Sequence, residues 1–280
     1  MARTLAFRIV NVFTRGAALS GNPLCVFEDG DGLDTETMQA LARQFNLSET
    51  TFILPSAQAT ARVRIFTPSY ELPFAGHPTL GTAHVVRALR ECGDAVALEM
   101  KAGIIPVNAR GDRWTLQANA PRSRAVELAR AELEEVLGLA PGDVAEWPLW
   151  VSAGMEQLMV PVTSADAVRR ARPRSDVFSR LKSEDGQSMA YVFHDAGDAA
   201  GTVQARFFFP SGAAILEDPA TGSACANLGG WFTVIRPRVD VRRTISQGDA
   251  VGRPSTLHLD VTHGAIHVGG DVIELGRGSV

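Results

Sequence analysis

An internal echo constrains this chain more than any other feature. Arg64 to Ala83, RIFTPSYELPFAGHPTLGTA, returns as Arg206 to Ala224, RFFFPSGAAILEDPATGSA. Arg64, Phe66, Pro68 and Ser69 match Arg206, Phe208, Pro210 and Ser211 at an offset of 142 residues. After a loop one residue shorter, Pro78, Gly81 and Ala83 match Pro219, Gly222 and Ala224 at 141, with Thr82 against Ser223. Identities at a constant offset with one slip indicate a duplicated unit. Each copy reads as a strand with bulky residues at alternate positions, a Gly/Pro loop, and a helix opened by proline and small residues. Each half then has a helix start preceded by a polar residue, His77 in one and Asp218 in the other. Helix starts carry unpaired N–H groups and the positive end of the dipole, so two of them facing across an interface would suit a small carboxylate. The plainer alternative is two ordinary strand–turn–helix units alike by ancestry only.

The 280 residues suit about two domains, each long enough to bury a core. A formal net charge of -4 favours neither nucleic acid nor an anionic membrane. The basic cluster Arg169, Arg170, Arg172 and Arg174 reads as a solvated helix end rather than a phosphate track. Three cysteines, Cys25, Cys92 and Cys225, lie far apart without a CxxC pair, as expected of a cytoplasmic chain without disulfides or a thiolate zinc site. The opening MARTLAFRIVNVF turns polar too soon for an export signal, and no apolar run approaches the ~18 residues of a membrane span.

Along the chain, strands are expected at Phe7 to Phe13 and Leu24 to Phe27, then a helix over Thr35 to Phe45 capped by Asp34 and ended by Asn46. Strands follow at Glu49 to Leu54 and Ala61 to Phe66, a mostly small and apolar helix at Pro78 to Arg90, and strands at Ala95 to Met100, Ile104 to Asn108 and Trp114 to Gln117. Pro121 to Arg124 reads as a domain boundary. The second half begins with a helix over Leu128 to Leu137, ended by Gly138. Strands are expected at Leu149 to Ser152, Gln157 to Val162, Met189 to His194 and Val203 to Phe209, then the repeat helix from about Ala220 to Val234. Strands near Val241 to Ser246, Thr256 to Val261, Ala265 to Val268 and Val272 to Leu275 close the chain. The order predicts an α+β fold of two pseudo-symmetric domains, 1–120 and 121–280, each a sheet wrapped around a central helix, with the final residues free to return to the first domain. No GxGxxG, GxxxxGK[ST] or HExxH signature is present.

At NPLCVF with NLSETTF, FTPSYELPFAGHPTLGTA, EDPATGSACANLGGW, and QGDAVGRPS with GGDVIELGRG, the chain resembles the PhzF-like phenazine-biosynthesis family of the diaminopimelate epimerase fold superfamily. The resemblance runs from about Phe7 to Gly278. It implies two pseudo-equivalent β-barrels, each around a central helix, with the site between them, and a homodimer. It implies an isomerase that moves a proton on a small carboxylate-bearing metabolite without metal or organic cofactor, as in isomerisation of trans-2,3-dihydro-3-hydroxyanthranilate. Position by position it implies Glu49 as general base and acid, His77 and Asp218 flanking the substrate, and Gly76, Gly222 and Ser223 helping to hold it. Related epimerases use two cysteines beside the central helices; here Ala75 and about Pro219 take those places, which argues against two-thiol racemisation. Cys225 reads as a small core residue rather than a nucleophile.

Read without the resemblance, Glu49 is more often a helix-adjacent surface carboxylate than a base, and His77 and Asp218 could simply cap their helices. A base facing a C–H proton needs a carboxylate shielded from water, so that its pKa approaches working pH. His258, His263 and His267 do not share one face across two strands and a turn, which argues against a metal site. Two rival functions remain at this point: an amino-acid epimerase without the cysteine pair, and a non-catalytic small-ligand-binding protein on the same scaffold.

Overall fold

A computed structural model describes residues 4–280; residues 1–3, part of the stretch used above to argue against an export signal, lie outside the described residues. Two units make up the chain. One runs to Gln117 and adds Gly269–Val280; the other is Ala118–Val268. The first contains β1 (Ala6–Val12), β2 (Asn22–Phe27), α1 (Thr35–Phe45), β3 (Glu49–Leu54), β4 (Ala61–Phe66), β5 (Glu71–Leu72), α2 (Gly76–Arg90), β6 (Ala95–Met100), β7 (Gly103–Arg110) and β8 (Arg113–Gln117). The second contains β9 (Arg122–Ala125), α3 (Arg130–Leu137), β10 (Leu149–Ser152), β11 (Glu156–Pro161), α4 (Ala165–Arg170), β12 (Ala190–Asp195), β13 (Thr202–Ser211), β14 (Ala214–Asp218), α5 (Gly222–Ile235), β15 (Val241–Gln247) and β16 (Ser255–Thr262). β17 (Ala265–Ser279) begins in the second unit and ends in the first.

In the first unit β1 pairs with β2, β2 with β3, β3 with β4, β4 with β6, β6 with β7, β7 with β8, β8 with β17, and β17 again with β1. Eight strands therefore close into a barrel, which leaves no open edge. Inside it runs α2, touching β1, β2, β3, β4, β6, β7 and β8. A helix enclosed on every side cannot be amphipathic, and Pro78, Leu80, Gly81, Ala83, Val85 and Val86 are all buried. Gly81 is closely packed there: a Cβ would stand 2.7 Å from Leu24 Cδ2 and 2.9 Å from Val12 Cγ2.

The second unit repeats the scheme. β9–β10, β10–β11, β12–β13 and β15–β16 are antiparallel, while β11–β12 and β13–β15 are parallel. β16 turns at His263 and Gly264, both with positive φ, into β17. The parallel steps fall where β2–β3 and β4–β6 are parallel in the first unit. Here α5 is the enclosed helix, against β9, β10, β11, β15 and β16. A Cβ on Gly230 would meet Pro121 Cβ at 2.7 Å and Val151 Cγ1 at 2.8 Å.

The sequence echo has a physical counterpart. Arg64 donates from Nε and Nη2 to the two carboxylate oxygens of Glu71, both at 2.8 Å, and its guanidinium lies 5.0 Å from the Phe66 ring centre. Arg206 donates from Nε and Nη2 to Glu217 Oε2 at 3.0 and 2.6 Å and lies 4.7 Å from Phe208. Each repeat thus braces a strand to the short strand after it by a forked ion pair stacked on an aromatic face.

Some expectations need correction. The stretch read as a loop before Asp218 contains β14, a hairpin partner of β13, so Asp218 ends a strand. Pro121 to Arg124, read as a boundary, lies close to the change of unit after Gln117, but it also carries the start of β9, paired with β10, which was not expected. The two final pieces form one strand, β17, and α4 was not foreseen. The outer helix α1 is as expected: Asp34 accepts from Thr37 N–H, and Asn46 ends it in the left-handed region. Among the described residues no helix is long and apolar enough to cross a membrane.

Candidate active site

In the first unit, Glu49 is the first residue of β3, its backbone aligned with Leu24 of the parallel strand β2. His77 is the second residue of α2, whose N-cap is Ala75 with no side-chain cap bond. His77 therefore does not precede its helix, as expected from the Gly-His-Pro order, but sits inside the first turn. Gly76, partly exposed, opens that turn, where the helix leaves backbone N–H groups without helical partners.

His77 Nε2 stands 3.3 Å from Glu49 Oε2, with the imidazole 7% and the carboxylate 17% exposed. Burial pushes the imidazole down to about 3, and a hydrogen bond to the Pro23 backbone opposes this only in part. At ordinary pH the ring is neutral, so its contact with Glu49 is not an imidazolium–carboxylate ion pair. Proline has no N–H, so the Pro23 group is its carbonyl and the ring donates to it. Nε2 makes no hydrogen bond. The donor is accordingly Nδ1, and Nε2 turns its lone pair toward Glu49. A carboxyl that has taken up a proton finds an acceptor waiting at that nitrogen. Behind the pair, the buried hydroxyls of Thr51 and Thr82 bond each other at 2.8 Å, tying β3 to α2.

In the second unit, Asp218, Gly222 and Ser223 gather at the start of α5. Gln247 organises the approach: its Nε2 donates to Asp218 O at 2.8 Å and Thr221 Oγ1 at 3.0 Å, while its Oε1 accepts from Thr221 N–H at 3.4 Å and Tyr191 OH at 3.3 Å. Thr221 in turn donates its hydroxyl to Asp218 Oδ2. Asp218 is thus tied to the start of α5, whose N-cap is Thr221, without a side-chain cap bond of its own. Gly248, at φ 84°, lets this turn approach: a Cβ there would stand 2.5 Å from Pro219 O. Ser223, partly exposed in the first turn, accepts from Gln157 Nε2 at 2.9 Å. Gln157 accepts from Asn227 Nδ2 at 2.8 Å. Cys225 is fully buried, and burial drives its thiol far above the range where a thiolate forms.

Sequence reasoning missed Gln157, Asn227, Gln247 and Tyr191. Three of them are amides, and an amide inside a strand or helix carries no spacing signal. Gln247 and Asn227 lay within quoted motifs, QGDAVGRPS and EDPATGSACANLGGW, but neither motif singles them out. Among the described residues no group of three or more His, Cys, Asp or Glu side chains gathers to hold a metal ion.

A family described as phenazine biosynthesis-like proteins (PhzC-PhzF) matches residues 10–274. The chain belongs to that family. It is 36% identical over 285 residues to an uncharacterized isomerase of Pasteurella multocida, covering 100% of this chain and 95% of that one. It is 31% identical over 290 residues to the trans-2,3-dihydro-3-hydroxyanthranilate isomerase of Pseudomonas fluorescens, covering 97% and 98%. Among solved structures, a PhzF-family phenazine biosynthesis protein of Bacillus anthracis superposes with a TM-score of 0.88 at 25% identity, covering 100% and 99%. A probable proline racemase from Agrobacterium radiobacter, with a TM-score of 0.65 at 13% identity over 99% and 92%, shares the fold. The chain is an isomerase of the PhzF family.

Proposed function

We propose that this isomerase shifts a proton on a small carboxylate-bearing, cyclic or amino-bearing metabolite, with Glu49 as the group that takes and returns the proton. The observation that carries the reading is the placement of a neutral His77 Nε2 lone pair 3.3 Å from Glu49 Oε2. Glu49 abstracts the proton from carbon as a carboxylate; once protonated, it donates to Nε2 and so holds the proton until it is returned at another carbon. A carboxyl that gains a hydrogen-bond acceptor on taking up a proton serves as base and then acid without a cofactor carrying charge.

Asp218, Ser223 and the α5 start around Gly222 bind the substrate, and Gly76 leaves the first turn of α2 open to it. Unpaired N–H groups with the helix dipole favour a carboxylate. Supporting this class, the Pseudomonas fluorescens relative is named for a substrate of that kind. The family resemblance further supports a cytoplasmic homodimer working without metal. Sedimentation at micromolar concentration checks the first, and full activity after dialysis against a chelator checks the second.

The test is to incubate the protein with trans-2,3-dihydro-3-hydroxyanthranilate in deuterium oxide. The expected outcome is conversion with deuterium at the carbon that gains the proton, since a carboxyl exchanges its proton with solvent whenever release outpaces return. Conversion with no deuterium in product or remaining substrate, under conditions of reversible turnover, would remove Glu49 as an exchanging carrier. Loss of optical rotation from chiral amino acids, with no isomerisation, would replace this reading by epimerisation.

A further inference from the structure

The polar chain behind Ser223 has a direction that two backbone groups impose. Ala153 N–H donates to Asn227 Oδ1 at 2.7 Å, and a backbone N–H can only donate. Asn227 Nδ2 donates to Met155 O at 2.9 Å, and a carbonyl can only accept. The Asn227 amide is therefore fixed in orientation from both ends. Its Nδ2 also donates to Gln157 Oε1 at 2.8 Å, which fixes the Gln157 amide in turn and leaves Gln157 Nε2 facing Ser223 Oγ at 2.9 Å. Gln157 and Asn227 are each only 1% exposed, so water does not compete for these bonds. Ser223 Oγ spends a lone pair on Gln157, and its own hydrogen meets no acceptor in the hydrogen bonds that the described residues make.

We propose that Gln157 and Asn227 are positioning residues whose one-way hydrogen-bond chain turns the Ser223 hydroxyl hydrogen toward the ligand. The proposal rests on the reading that Ser223 touches substrate. A free serine hydroxyl donates or accepts as its partner requires. Here one lone pair is already engaged from behind, and the hydrogen, which no acceptor among the described residues takes, is left for the outward face. That face favours a carboxylate or carbonyl oxygen over an N–H group, because only an acceptor pairs the hydroxyl hydrogen. Such discrimination comes from leaving the wrong partner unpaired rather than from size.

Two measurements test it, one without any ligand or variant. Neutron diffraction on deuterated protein locates the Ser223 deuterium and the amide deuterons of Gln157. The expected result is a Gln157 N–D aimed at Ser223 Oγ and a Ser223 O–D aimed away from Gln157; an O–D aimed at Gln157 overturns the proposal. The second measurement uses anthranilate and anthranilamide as probes, titrated calorimetrically. Gln157→Met keeps length and burial but releases the hydroxyl, so the preference for anthranilate over anthranilamide should fall by about three- to tenfold. In a Ser223→Ala background the same change should move that preference by less than about twofold, since the effect travels through the hydroxyl. A purely structural role for Gln157 would shift both probes alike in both backgrounds, and that result overturns the proposal. If the neutron geometry is as expected but Ser223→Ala leaves both affinities unchanged, Ser223 does not bind ligand. The positioning role then fails with that reading, while the direction of the chain stands.

Discussion

In the first unit β3 opens with Glu49; in the second, the corresponding ladder position holds Met189. Phe66 pairs with Thr50 and its echo Phe208 pairs with Ala190, so Glu49, one residue before Thr50, corresponds to Met189, with Ser48 against Ser188. Likewise His77 answers to Asp218 and Thr82 to Ser223. Both copies retained the Arg–Glu brace, and each enclosed helix has a close-packed glycine, Gly81 and Gly230, at places that do not correspond in the repeat. Their polar residues diverged. One helix start has a buried neutral imidazole against a carboxylate; the other has hydroxyls and amides wired to backbone. On the proposed reading, a scaffold made twice has its proton-moving carboxylate once, which suits a proton lifted and returned by one group better than inversion between two.

The sharpest way to break this comparison is Glu49→Gln, which keeps shape but cannot take a proton. Turnover is expected to fall by at least ~10²-fold, the scale of acid–base catalysis, with circular dichroism unchanged. Adding Met189→Glu to that variant should recover nothing; recovery would mean the two positions are interchangeable and the comparison is wrong.

Next in size is packing. Gly230→Ala forces a methyl against the rigid ring of Pro121 and is expected to cost about 1–3 kcal/mol in urea unfolding. Gly81→Ala meets the tips of Leu24 and Val12, which can swing. The gain of about 1 kcal/mol in helix propensity should leave it nearer neutral. Equal losses would show that the two barrels grip their helices alike.

A third test uses pH. His77 falls from 6.5 in the open chain to about 3 when buried, so between those values the unfolded chain binds the extra proton. The neutral ring's contribution is present above about pH 6.5 and drains away as pH falls toward 3, at up to about 1.4 kcal/mol per pH unit. His77→Asn should lose less stability than the unaltered protein over that range; parallel pH curves would show that the imidazole is not held neutral.

The smallest effect belongs to Asp218→Ala. Losing the hydroxyl bond from Thr221 should cost about 1 kcal/mol of stability, and KM should rise about tenfold while kcat changes less. Unchanged kinetics in a folded variant would remove Asp218 from the site.

Where local chemistry decided the structure, the sequence was legible. Asp34 and Asn46 bounded α1 to the residue, because a capping carboxylate and a left-handed asparagine act on their own neighbours. Glu49, His77 and Ser223 were legible because motifs surround them. β9 was hidden by its arginines, since its pairing to β10 supplies what its composition does not. β17 was split in two because Gly269 and Gly270 read as a turn. They lie within a continuous strand at places where a Cβ would strike Thr115 and Phe13. Gln157 and Asn227 escaped because their meaning is directional: only coordinates reveal which end of an amide meets a backbone carbonyl.

That continuous last strand sets an order on synthesis. Residues 265–268 complete the second unit's strand series, while Gly269 onward supplies the stave between β1 and β8 that seals the first barrel. As the chain leaves the ribosome, the part made first is therefore finished last. It waits with two unpaired strand edges through more than half of translation, while the later-made half can already assemble. Deleting residues 269–279 would not trim a tail; it would leave the Glu49 barrel permanently unsealed.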